Sequence, residues 1–121
     1  MASILFIDDD VNILQIYSAV FLGSCYTIET ARTGDTAFKI MANAAPALLI
    51  LDIAMPVLSG EDILRQVRAD HRYDSTRIII LTAAPNRVTP DLRALVDRVI
   101  LKPVTPKALH AAVFEVIPPC P

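Results

Sequence analysis

The chain has 121 residues, of which 54% are hydrophobic and 20% charged, and eleven Lys and Arg against thirteen Asp and Glu give a formal net charge of -2. That is enough chain for one domain with a real hydrophobic core and too little for a second catalytic or DNA-binding domain. The charge balance excludes binding to nucleic acid by phosphate neutralisation, and no apolar run approaches the roughly 18 residues of a membrane span.

A basic n-region of a signal peptide is missing at the N-terminus. Cys25 and Cys120 lie far apart with no metal-ligand spacing, which reads most simply as a reduced, cytoplasmic chain. The first apolar run, Ile4-Leu5-Phe6-Ile7, ends in Asp8-Asp9-Asp10. Asp10 is placed to cap a helix whose apolar face is Leu14, Tyr17, Val20 and Phe21. Tyr26 to Ala31 alternates apolar and polar, as a half-buried edge strand does. Ala37, Phe38, Met41 and Ala45 mark the face of a second helix, and Ala47-Leu48-Leu49-Ile50-Leu51 then runs into Asp52. Ser59-Gly60-Glu61-Asp62 resembles a capping box ahead of Ile63, Leu64 and Val67. Ile78-Ile79-Ile80-Leu81 ends in Thr82. Thr89-Pro90 predicts the start of a fourth helix of little more than about two turns, since Pro fits the first helical position. Val99-Ile100-Leu101 ends in Lys102, and Thr105-Pro106 opens a last helix through Leu109, Ala112, Val113 and Val116. The reading gives one domain over residues 1–117, with 118–121 a tail or the start of a linker.

Short, nearly continuous apolar runs are how strands buried on both faces read. Their alternation with helical patterns predicts an α/β, doubly wound five-stranded parallel sheet with helices on both faces. In such a sheet, ligands bind outside the carboxyl ends of the strands. Asp8, Asp9, Asp52, Thr82 and Lys102 would then converge on one edge. Clustered carboxylates repel one another and call for a compensating charge. Oxygen-only ligation with few protein ligands suits Mg²⁺, which keeps several waters and accepts phosphate oxygens. A lysine supplies a compact positive charge for a phosphoryl oxygen, and a threonine hydroxyl supplies one hydrogen bond. One carboxylate could serve as the nucleophile that becomes an acyl phosphate.

The ordered set Ile4-Leu5-Phe6-Ile7-Asp8-Asp9-Asp10, Leu51-Asp52-Ile53-Ala54-Met55-Pro56-Val57-Leu58-Ser59-Gly60, Leu81-Thr82-Ala83 and Leu101-Lys102-Pro103 is similar to the receiver domain of two-component response regulators, from Ile4 to about Ile117. The resemblance implies the flavodoxin-like receiver fold with strand order 2-1-3-4-5. It implies Asp52 as phosphoacceptor, with Mg²⁺ held by Asp8, Asp9, Asp52 and the backbone carbonyl of Ala54. It further implies Thr82, Ala83 and Lys102 around the phosphoryl group, and a cis peptide at Lys102-Pro103. The implied partners are a histidine kinase or histidine phosphotransfer domain as donor, and a downstream protein or fused output domain as target; a homodimer is compatible, and nucleic acid and membrane are not expected. The chain departs from the family pattern at the switch position, where Val99 stands in place of an aromatic, and at Ala54 and Ala84, which are commonly polar.

Two other functions compete with this signalling switch, which is a phosphoacceptor rather than an enzyme acting on a separate substrate. A pseudo-receiver scaffold would not need repelling carboxylates held together. Asp8-Asp9-Asp10 superficially resembles the start of haloacid-dehalogenase-like phosphatases, but Asn12 stands where that motif has Thr or Val. His71 and His110 have no second ligand at useful spacing, and Arg65, Arg68 and Arg72 read as a solvated helix face.

Overall fold

The apolar runs form the strands of one parallel sheet, in a computed structural model that describes residues 2–55 and 59–118. Pro56 to Leu58 of the second motif, Cys120 and most of the expected tail lie outside the described residues. The strands are β1 (Ser3–Ile7), β2 (Thr27–Ala31), β3 (Leu48–Leu51), β4 (Arg77–Thr82) and β5 (Arg98–Leu101), and the helices are α1 (Val11–Val20), α2 (Gly34–Asn43), α3 (Gly60–Ala69), α4 (Pro90–Arg93) and α5 (Pro106–Val116). The sheet order is β2-β1-β3-β4-β5 and all four pairings are parallel. The alternating strand β2 is at an edge, as expected.

Side chains of a strand point alternately to its two faces, and this splits the core in two. Leu5, Ile7, Leu49, Leu51, Ile78 and Ile80 pack with Ile63, Leu64 and Val67 of α3. Ile4, Phe6, Leu48, Ile50, Ile79 and Leu81 pack on the other face with Leu14 of α1 and Leu109 and Val113 of α5. Both faces of β1, β3 and β4 are therefore dry, which is why those runs are apolar without alternation.

The caps follow the sequence with some differences. Asp10 accepts from the amides of Asn12 and Ile13 at 2.9 and 3.4 Å, and Thr105 accepts from Ala108 N at 3.1 Å. Ser59 accepts from Asp62 N at 3.3 Å, but Asp62 accepts from the Ser59 hydroxyl rather than from its backbone, so the box is half closed. Thr89 directs its hydroxyl to the Asp91 carboxylate, and α4 is four residues long, shorter than expected. α2 ends at Asn43, so Ala45 lies beyond the helix face assigned to it. His110 stacks on Phe21 and meets Phe114 edge-on, and exposed His71 pairs with Asp74. Cys25 corrects the expectation of a reduced thiol, because it is disulfide-bonded. The end of α5 returns to this region, where the Tyr26 hydroxyl donates to the Pro118 carbonyl at 2.9 Å.

Arg68 is not part of a solvated face either. Its Nε donates to the Leu95 carbonyl at 2.8 Å and one Nη to Thr76 and Tyr73 carbonyls at 2.9 and 3.4 Å, joining α3 to the segments that lead into β4 and β5. Its other Nη lies 3.8 Å from Asp97, whose carboxylate accepts from Ile78 N at 2.8 Å. These contacts line a cleft of about 610 Å³ at the amino ends of the strands, away from the polar strand ends. Arg68→Met keeps the aliphatic stem and leaves three carbonyls without that donor. Partly buried hydrogen bonds of this kind are worth about 1–3 kcal/mol in loss. A lowered urea midpoint with an unchanged slope is the expected result, and an unchanged midpoint would show the clamp to be idle.

Candidate functional site

The site residues sit one step past the strands and are held there by continued ladder hydrogen bonds. Asp8 N donates to Ala31 O at 3.1 Å, Asp52 N to Ile7 O at 3.0 Å, and Lys102 N to Thr82 O at 2.8 Å. Parallel pairing puts these ends on one edge, so residues distant in sequence meet. The Lys102 ammonium lies 2.9 Å from Asp8 Oδ2 and 3.6 Å from Asp52 Oδ2. The Lys102-Pro103 peptide is cis.

Each carboxylate is fixed on its second oxygen as well. Asp8 Oδ1 accepts from Asp10 N at 3.0 Å, and Asp52 Oδ1 accepts from Ala54 N at 3.1 Å. Asp8 is only 4% exposed, Asp52 is half-buried and Asp9 is open to solvent. One carboxylate oxygen from each of the three lies within 4.8 Å of the others. Oxygens that share a Mg²⁺ at about 2.1 Å lie up to about 4.2 Å apart, so a small adjustment of exposed Asp9 or of Asp52 closes the set on a hard divalent cation. The donor chemistry fits Mg²⁺.

The charges respond to this crowding. Burial pushes the Asp52 carboxyl above its ordinary value; the Ala54 N–H and Lys102 oppose the rise, and the neighbouring Asp8 and Asp9 charges add to it. Burial alone would lower the Lys102 ammonium, but its hydrogen bond to Asp8 and the charges of Asp52 and Asp8 outweigh that, leaving it raised. The cluster is acidic beyond what its one cation balances, which favours a bound cation.

The remaining predicted residues fall in three places. Thr82 is fully buried at the end of β4, and its hydroxyl accepts from Ala84 N at 2.9 Å. Ala83 follows it, exposed beside the site. Val99 does not join the site; it packs against the α3-side core as an ordinary apolar residue.

One residue of this region was assigned from sequence only to the core face of α1. Tyr17 lines a small, partly open space together with Asp8 and Asp52. Helical side chains lean toward the helix N-terminus, and Tyr17 is two turns after the Asp10 cap, so its ring reaches back to the strand ends. A polar tip on an otherwise apolar helix face is the signal that could have found it.

A family model described as the response regulator receiver domain matches residues 4–114. A probable transcriptional regulator, ycf27, of Guillardia theta is 32% identical over 117 residues, which are 94% of this chain and 44% of that protein. This chain thus spans under half the length of that curated relative. Among solved structures, the chemotaxis response regulator CheY4 of Vibrio cholerae superposes with a TM-score of 0.87 at 29% identity, covering 97% of this chain and 99% of that one. The response regulator TrrA of Thermotoga maritima, solved in complex with Mg²⁺ and BeF, superposes with a TM-score of 0.84 at 28% identity, covering 97% and 100%.

Proposed function

The chain belongs to the response regulator receiver domain family, and from that membership we propose that Asp52 is the residue phosphorylated, with Asp8, Asp9, Asp52 and the Ala54 carbonyl holding Mg²⁺. Receiver domains are phosphoacceptor switches that partner histidine kinases. The observation that carries the assignment is the Lys102 ammonium set between Asp8 and Asp52, with Asp9 completing a carboxylate triad beside it. A scaffold has no use for that arrangement.

In the proposed reaction a carboxylate oxygen of Asp52 attacks the phosphorus of a phosphohistidine on a kinase or phosphotransfer domain. The P–O bond forms as the P–N bond breaks, and the imidazole nitrogen leaves with the electron pair and takes up a proton. Mg²⁺, when bound, offsets the charge on the phosphoryl oxygens. Lys102 neutralises a further oxygen, and the Thr82 hydroxyl, which accepts from Ala84 N, has its own proton free to donate to another. The Ala54 N–H holds Asp52 Oδ1, leaving Oδ2 as the attacking oxygen.

The likeness to a regulator more than twice this length supports a target that is a fused output domain or a downstream protein. No described helix is long and apolar enough to cross a membrane, and we place the protein in the cytoplasm, where a kinase with its phosphohistidine would meet it.

The test is incubation with a small-molecule acyl phosphate and Mg²⁺. One phosphoryl group per chain is the expected result; absence of label would indicate a scaffold, and continuous turnover a phosphatase. Mg²⁺ alone should raise the melting temperature, because a cation that binds only the folded site stabilises it, by about 2.7 kcal/mol at a hundredfold excess over Kd. A melting temperature indifferent to millimolar Mg²⁺ would refute the metal assignment.

The output route follows from β5 and α4. Val99 is β-branched and stiff, and carries no ring to rotate. α4 is a single turn, preceded by a 3-10 turn at Pro85–Arg87, and Arg65 of α3 holds it through Asp91 at 2.6 Å. Phosphorylation is expected to reorder residues 83 to 96, since short segments with few buried contacts open at low free energy. Amide exchange with and without beryllofluoride reads this directly. Changes confined to β5 and α5 would overturn the route.

A further inference from the structure

We propose that Tyr17 is an additional positioning residue of the phosphoacceptor site, whose phenolic hydroxyl donates to Asp8 when Lys102 turns from that carboxylate to the phosphoryl group. The proposal rests on the phosphoacceptor reading above. Tyr17 is 8% exposed, and its ring lies on Phe6 with centroids 5.7 Å apart. It lines a partly open space together with Phe6, Asp8, Ile50, Asp52 and Leu81, and among the residues around that space it alone has a side-chain donor. The space is too tight for a water molecule, so a donor that reaches Asp8 from below is a side chain. The hydroxyl makes no hydrogen bond among the described residues. The other tyrosine of this layer, Tyr26, gives its hydroxyl to the Pro118 carbonyl.

Asp8 has two donors, Asp10 N and the Lys102 ammonium. Phosphorylation of Asp52 replaces one carboxylate charge with a phosphoryl dianion, and Lys102 follows the larger charge. Asp8 keeps Asp10 N and its place as a Mg²⁺ ligand but loses the ammonium donor to Oδ2, and a buried carboxylate oxygen that loses a donor is costly unless another replaces it. Burial raises the Tyr17 phenol, Lys102 opposes the rise, and Asp8 and Asp52 add to it, so the group is a protonated donor at neutral pH. The phenol does not react. It holds Asp8 in place while the other groups of the site rearrange.

The experiment compares the chain with Tyr17→Phe, which keeps the ring on Phe6 and removes the hydroxyl. Mg²⁺ alone and then Mg²⁺ with beryllofluoride are titrated, with binding read by calorimetry and the phenols by fluorescence. The chain has three Tyr and no Trp, so tyrosine emission is visible. Beryllofluoride should quench it, as a phenol donating to a carboxylate is quenched. In Tyr17→Phe the quenching should vanish and beryllofluoride should bind about tenfold weaker, the scale of one hydrogen bond to a charged group. Melting temperature without ligand and affinity for Mg²⁺ alone should match the parent, which a merely structural role would not predict. A chain with Tyr26→Phe and Tyr73→Phe leaves Tyr17 as its single phenol and should keep the quenching, whatever the stability of the first variant. Equal beryllofluoride affinity in Tyr17→Phe, or quenching that persists there, overturns the proposal alone. Failure of the parent chain to bind beryllofluoride overturns both it and the phosphoacceptor reading.

Discussion

Asp52→Asn is expected to abolish phosphorylation by phosphohistidine and by small-molecule acyl phosphates alike. An amide oxygen is a poor nucleophile at phosphorus, and the other two carboxylates cannot substitute. Asp8 is buried with one oxygen on Asp10 N and the other on Lys102, and Asp9 lies on the solvent side. The same substitution should raise the melting temperature of the metal-free protein near neutral pH. The Asp52 carboxyl is raised in the folded state, chiefly by burial, so its ionised form is less favourable folded than unfolded. A raised carboxyl contributes stability below its unfolded pKa and loses it as pH rises through the folded pKa. The neutral amide avoids that loss. The advantage of the variant should therefore shrink as pH falls through the folded pKa of Asp52. Persistent label in Asp52→Asn sinks the phosphoacceptor assignment, and a lowered melting temperature sinks the argument from burial of the charge.

Gly60→Ala should be strongly destabilising and should impair labelling as well. At the first position of a helix, replacing Gly by Ala ordinarily helps, by up to about 1 kcal/mol. Here a Cβ would fall 2.3 Å from the Asp52 carbonyl oxygen and 2.5 Å from Ile53 Cα. Both are backbone, so neither can swing aside. Gly60 N also donates to Ile53 O at 3.1 Å, and separating the two segments breaks that bond. Overpacking of this kind costs about 1–3 kcal/mol and at times more, so the clash outweighs the helix gain. Relief would come from moving α3 away from the segment after β3, which carries Asp52. The expected outcome is a lower denaturant midpoint together with slower phosphorylation. A variant as stable and as readily labelled as the parent would show that this close approach is not required.

The local features of the chain were legible because they depend on near neighbours. Asp10, Ser59 and Thr105 cap helices through amides two or three residues on. Pro90 and Pro106 open helices because the first turn has no use for their missing N–H. Thr89 stands at a helix start, as its position before Pro90 predicts, but its hydroxyl donates to the Asp91 carboxylate and accepts from no helix amide. α4 is shorter than its pattern predicts, because pattern marks where a helix can start, while packing decides how far it runs.

The sequence by itself determined the parallel sheet and the edge on which the polar residues gather. Continuous apolar runs require both faces covered, right-handed crossovers then make the strands parallel, and each run ends in the residue that follows it. Tertiary structure alone decided which groups touch. Lys102 meets Asp8 across 94 residues of chain, and no spacing states that it chooses this carboxylate over Asp52 by 2.9 against 3.6 Å. Arg68 turns inward to the Leu95, Thr76 and Tyr73 carbonyls because the segments leading into two neighbouring strands converge on its guanidinium. Tyr17 extends from a core face to the floor of the acidic site because helix side chains lean toward the N-terminus and α1 begins at the strand end that carries Asp8. Periodicity is a property of one element and is written in its residues. Contact depends on how two elements are set against each other, and that is settled only when the whole core packs.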